Sequence, residues 1–210
     1  MWFVSFIQDG GFFMYPTLLV MLVGIGIAIE RFMALNRSKS RNKALWEEVF
    51  PAIKKGDLSK VLAQVKDNDA EIGRILEYGL SRYQTSKHVE DVETAMEEAL
   101  MEVLPQLEAR THYLSSFANI ATLIGLLGTV HGMIMAFAAV ANADPAQKGD
   151  MLSASIAVAM NNTALGLAAA IPLLLGSSYL QALTGEIVES LEMTSVKLLN
   201  VLRQINGQAK

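Results

Sequence analysis

Three stretches of this chain hold no Asp, Glu, Lys or Arg: Gly10 to Ile29, Thr111 to Ala143 and Met151 to Gly185, of 20, 33 and 35 residues. A helix rises about 1.5 Å per residue and a bilayer core is about 30 Å thick, so about 20 apolar residues cross it once. Each stretch is therefore a candidate transmembrane helix. The second and third exceed that need, which predicts strong tilt or continuation into water, and they are too short to cross twice. Burying them inside a soluble core fails on area, because 88 of 210 residues lie in the three runs and the remainder could not cover them. Composition agrees: 18% of residues are charged, where a soluble domain carries about 25%.

The flanks predict orientation. Arg31, Arg37, Lys39, Arg41 and Lys43 crowd the exit of the first span, while its entry carries Asp9. Thirteen of the 17 basic residues lie between Glu30 and His112, whereas the loop between the later spans offers Lys148 beside Asp144 and Asp150. Basic loops stay in the cytoplasm, so the N-terminus is expected outside and the C-terminus inside. The start has no basic n-region and no small-residue cleavage site, and does not read as a signal peptide. Trp2, Phe3, Phe6, Phe12, Phe13 and Tyr15 are six of fifteen aromatics, a cluster suited to an outer interface. The expected layout is an all-α membrane protein with three transmembrane helices, two of them extended into the cytoplasm: an outer-interface amphipathic segment over 1–10, spans over 11–29, 111–143 and 151–185, a cytoplasmic helical region over 30–110, a short outer loop over 144–150 and a cytoplasmic C-terminal helix over 186–210.

Within the cytoplasmic region, Leu45, Val49 and Ile53 recur at helical spacing, Gly56 and Asp57 supply a stop and a new N-cap, and Leu58 to Val65 resumes the pattern. From Ser86 an apolar stripe through Val89, Val92, Met96, Leu100, Val103 and Leu107 runs without a Gly into the second span, with Pro105 expected to kink it. Ile187, Leu191, Leu198, Leu202 and Ile205 predict a packed helix after the third.

Several chemistries are excluded. There is no Cys, hence no disulfide, thiolate or iron–sulfur chemistry. A net charge of −4 leaves no basic footprint for nucleic acid. His88, His112 and His131 have no metal-site spacing, and no nucleophile elbow, P-loop or carboxylate pair occurs, so the chain does not read as an enzyme. His131 is the one ionisable residue expected deep in a span.

What remains is a row of small and hydroxylated residues. Thr122 and Thr129 are seven apart in the second span, with Gly125, Gly128 and Gly132 close by. In the third, Ala159, Thr163, Gly166 and Ala170 form another small face beside Asn161 and Asn162, and Pro172 is placed to bend the helix. Two readings are open: tight packing, in which Thr and Asn hydrogen-bond between helices, or a polar strip along a pore, in which hydroxyls and amides meet water or a cation.

The block Gly125-Leu126-Leu127-Gly128-Thr129-Val130-His131-Gly132 resembles the second-helix signature of the TolQ, ExbB and MotA proteins, and Thr163-Ala164-Leu165-Gly166-Leu167-Ala168-Ala169-Ala170-Ile171-Pro172 resembles their third-helix signature. The first-span ending Ile29-Glu30-Arg31 and the three-span, N-out layout are similar to the ExbB and TolQ branch rather than the four-span flagellar stator. The resemblance implies a homopentamer in the bacterial inner membrane around two copies of a single-span ExbD- or TolR-like partner. The partner's transmembrane Asp would bind the permeant Na+ or H+, no other cofactor being expected. Ion flow would drive rotation and work on the envelope through a TonB-like or other envelope protein. Thr129 and Thr163 match the family threonines that face that Asp. The usual Glu five residues before the threonine is Val158 here, and the usual Ala just before it is Asn162, beside Asn161. That tandem is similar to sodium-driven stators, so a transient Na+ is expected at Thr129, Asn162 and Thr163. A non-conducting membrane scaffold is the competing expectation.

Overall fold

The computed structural model describes residues 11–208 except Asp67 and Asn142, so the expected outer-interface segment over 1–10 lies outside the described residues. Six helices follow one another: α1 Met14–Lys54, α2 Leu58–Val65, α3 Glu71–Ser86, α4 Val89–Glu108, α5 Thr111–Ala141 and α6 Lys148–Gln208. No strand occurs among the described residues. The helices form two compact units. The first joins the chain up to Arg31 with Arg110–Tyr179; the second joins Phe32–Ala109 with the chain from Leu180 onward.

Among the described residues three helices are long and apolar enough to cross a membrane. In the first unit Leu19, Leu22, Leu123, Leu126, Leu127 and Leu175 are all more than half exposed, a surface that suits lipid. Gly24 of α1 admits the Leu173 side chain of α6, which lies 2.7 Å from where a Cβ would stand. Two contacts set the register of α1 against α5. At one end Arg110 Nη1 meets Glu30 Oε2 at 3.5 Å; at the other the Phe13 and His131 rings lie 5.4 Å apart. Helical rise puts about 26 Å of α1 and about 32 Å of α5 between these rungs, close to a bilayer core. His131 therefore sits against the first turn of α1, at one rim of the span rather than deep within it.

The second unit is an ordinary apolar core. Its α3 buries Ile75 and Leu76, its α4 Val92 and Met96, and its stretch of α6 Leu191 and Leu198. The Gly56–Asp57 break forms as its sequence predicts: Gly56 takes φ +72°, and the Asp57 carboxylate accepts from Lys60 N at 3.2 Å to cap α2. The buried Asn42 accepts from Ile72 N at 3.1 Å and so caps α3 from another helix.

The third span continues beyond its apolar run as expected: α6 is unbroken over 61 residues, with no boundary at Gly185 between the expected span and the expected C-terminal helix. The stripe from Ser86, by contrast, does not run unbroken into the second span. Helix α4 continues past Pro105 but stops at Glu108, where Ala109 turns extended (ψ 135°) and Arg110 takes φ 62° before α5 begins. The left-handed conformation costs a non-Gly residue about 1–2 kcal/mol. The Glu30 pair and the Tyr113 N–H donated to Arg110 O at 3.1 Å are the contacts that hold it.

Candidate functional site

Glycine brings α5 and α6 together. A Cβ on Gly125 would stand 2.9 Å from the Asn162 carbonyl oxygen and 3.1 Å from Gly166 Cα; one on Gly166 would stand 2.8 Å from the Ala121 carbonyl oxygen. At Gly125 and Gly166 the two backbones are thus in direct contact, which no side chain would permit. Gly132 leaves room for the Ala159 methyl and Gly128 for the Asn162 side chain, at 2.9 and 2.8 Å from their would-be Cβ atoms. The packing residues Gly125, Gly128, Gly132 and Gly166 therefore line one seam, while Pro172 lies exposed within α6.

This seam carries the threonine pair. The Thr129 hydroxyl lies 3.1 Å from the Gly125 carbonyl oxygen on its own helix, 3.1 Å from the Ala159 carbonyl oxygen across the seam, and against the Thr163 hydroxyl. Thr163 Oγ1 is in turn 3.5 Å from the Gly125 carbonyl. Four neutral oxygens converge, supplied by two side chains and two carbonyls. Two hydroxyl protons serve the cluster: Thr129 donates to one of the two carbonyls at a time, and Thr163 donates either to Gly125 O or to the Thr129 oxygen. Such a cluster can exchange hydroxyl rotors with water, hand a proton along, or offer oxygen ligands to a cation. It holds no charge of its own, so a carboxylate from elsewhere would strengthen its hold on a cation.

The other candidates separate. Asn162 is buried at 5% exposure and donates Nδ2 to the Val158 carbonyl at 3.3 Å, placing its amide inside the seam. Asn161, its neighbour, is half-exposed on a different side of α6. Thr122, two turns from Thr129 on α5, donates to Ala118 O at 3.1 Å, the same bond to the preceding turn that Thr129 makes to Gly125 O. Sequence reasoning missed the Ala159 and Gly125 carbonyls, because a backbone acceptor has no residue-type signature. It also missed the Phe13–His131 contact. Among the described residues no group of three His, Asp or Glu could hold a metal.

Outside the seam, Arg31 is buried to 6% exposure beside Glu30 and Arg110. Burial lowers its pKa, Glu30 opposes that shift and Arg110 adds to it, and a guanidinium stays charged throughout. A buried cation thus stands at the end of the first unit remote from His131.

The sequence model of the MotA/TolQ/ExbB proton channel family matches residues 67–193, which takes in α3 to α5 and the α6 side of the seam. Over 189 residues the chain is 26% identical to a Methanothermobacter thermautotrophicus protein provisionally named as an ExbB homolog in biopolymer transport, covering 89% of this chain and 65% of that one. Over 78 residues it is 41% identical to the Tol-Pal system protein TolQ of Haemophilus influenzae, covering 37% of this chain and 34% of that one. The chain thus matches less than two thirds of the length of either relative. A family match over more than half of its residues, two of the three spans included, means that the chain belongs to the MotA/TolQ/ExbB proton channel family.

Proposed function

We propose that this chain is the ring-forming subunit of an ion-driven motor in the inner membrane. Five copies surround two copies of a single-span ExbD- or TolR-like partner, with the N-terminus outside and the C-terminus in the cytoplasm. The partner's transmembrane Asp carries the ion past the Thr129–Thr163 pair, and the work reaches the cell envelope, for example outer-membrane transport, through a TonB-like or other envelope protein. One observation carries this reading: two hydroxyls and two carbonyls gather between α5 and α6, in spans that hold no carboxylate. A polar cluster without its own charge suits a carboxylate brought by another chain.

Sodium is the proposed coupling ion. Asn162 brings an amide oxygen to the seam beside Thr163, a ligand that a dehydrated cation needs and a proton does not, while Asn161, on another side of α6, does not join that cluster. Rotation of the Asn162 amide out of the Gly128 recess would add its oxygen to the cluster. A second reading, a scaffold that organises partners without conducting, draws support from that same recess, since Asn162 packs there as a wedge.

The test is ion flux into liposomes holding the chain with its single-span partner, under an imposed sodium gradient and then an imposed pH gradient. Sodium-driven flux that Asn162→Ala abolishes is expected. Flux under the pH gradient alone refutes the sodium assignment, and no flux under either gradient in an assembled complex favours the scaffold.

A further inference from the structure

Charge is segregated in the second unit. Helix α4 carries seven carboxylates and no Lys or Arg, whereas the chain from Arg31 to Lys66 carries nine Lys or Arg against three Asp or Glu. On α4 the outward face runs through Glu90, Glu97 and Met101, flanked by Glu98 and Glu102. Met101 is 70% exposed, more than any other large apolar side chain of this unit. Among the described residues the ion pair of this helix is Glu93 with Arg203, which leaves Glu90, Glu97, Glu98 and Glu102 with no cation within 4 Å. On α1 the outward face shows Ser40 and Ala44, a smooth strip bordered by Arg37 on one side and Lys43 on the other. Lys43 meets Glu47 at 3.9 Å with both side chains largely exposed, a pairing worth little.

We propose that the acidic outward face of α4 docks onto the basic outward face of α1 in a second copy of this chain, with Met101 seated on the Ser40–Ala44 strip. This rests on the ring reading of the proposed function and names one surface that would close the ring. The α4 carboxylates Glu90, Glu97, Glu98 and Glu102 have no cation within 4 Å, and on the α1 face Arg37 is in none of the ion pairs among the described residues while Lys43 meets only the exposed Glu47, so copy meets copy by steering as well as by apolar contact. Small residues let a helix approach, and methionine adapts to an irregular surface. Two different faces can meet head-to-tail, a contact that closes into a ring when the rotation between copies closes, whereas a mutual two-fold contact of the same faces would stop at a pair.

The chain has no Cys, so cysteine crosslinking starts from a clean background. The full chain carrying Met101→Cys and Ala44→Cys, oxidised in membranes, should give a ladder beyond the dimer, while each single variant gives none. Glu97→Lys with Glu98→Lys should reduce the ladder to the single-cysteine level, and adding Arg37→Glu with Lys43→Glu should restore it. The mass of the detergent-solubilised complex is read in parallel. An intact oligomer without a ladder, or a ladder indifferent to charge reversal, overturns this surface and leaves the ring reading standing; a monomer overturns both.

Discussion

Thr129 on α5 and Thr163 on α6 hold their hydroxyls against each other across a seam that glycine opens, and the Ala159 carbonyl lies 3.1 Å from Thr129 Oγ1. The pair is 34 residues apart in sequence, and its proximity depends on backbone contact at Gly125 and Gly166. Seam and polar cluster are thus one construction: what brings the helices close also brings the oxygens together.

Gly125→Ala and Gly166→Ala should each destabilise the chain by about 1–3 kcal/mol, since the added methyl meets backbone that cannot swing aside. Gly26→Ala and Gly176→Ala, whose methyls meet no atom within 4 Å of the same chain, should not. Denaturation in detergent micelles, followed by loss of helical signal, ranks the four variants. Equal stability of all four would show that the seam is looser than described.

The bend between α4 and α5 separates two effects. Arg110→Ala loses the Glu30 pair and keeps the left-handed strain; Arg110→Gly loses the same pair and relieves the strain. The glycine variant should be more stable than the alanine variant by about 1 kcal/mol. Thermal unfolding of the two variants measures it, and the reverse order would place residue 110 in an ordinary helical conformation.

Asp57→Ala should cost about 1 kcal/mol through loss of the cap on α2, and Asp57→Asn should cost much less, because its amide oxygen still accepts from Lys60 N. Limited proteolysis near the Gly56 turn reports this locally. Equal cleavage rates in both variants would mean that charge rather than capping matters there.

Much of this was legible in the sequence, and the reasons are specific. The three charge-free runs lie in three helices long and apolar enough to cross a membrane, because hydrocarbon demands length without charge. Gly56–Asp57 became a stop and cap because a positive φ and a side-chain acceptor are both written in residue type. Arg110 escaped because nothing in an Arg announces a left-handed turn, and its contact with Glu30 joins residues 80 apart in sequence. The continuation of α6 beyond its apolar run was legible because 35 residues without charge exceed what a bilayer core needs. The threonines could be singled out, but not the carbonyls of Gly125 and Ala159 that complete their cluster.

The most direct test of the central claim replaces both hydroxyls at constant volume. Thr129→Val with Thr163→Val keeps the seam filled and removes two of the four oxygens, so the complex with its single-span partner should assemble at its normal mass yet lose ion flux in liposomes. Serine at both positions, which restores the hydroxyls, should recover most of it. Flux unchanged in the double valine variant would contradict the account, because the ions would then be crossing without the Thr129–Thr163 pair.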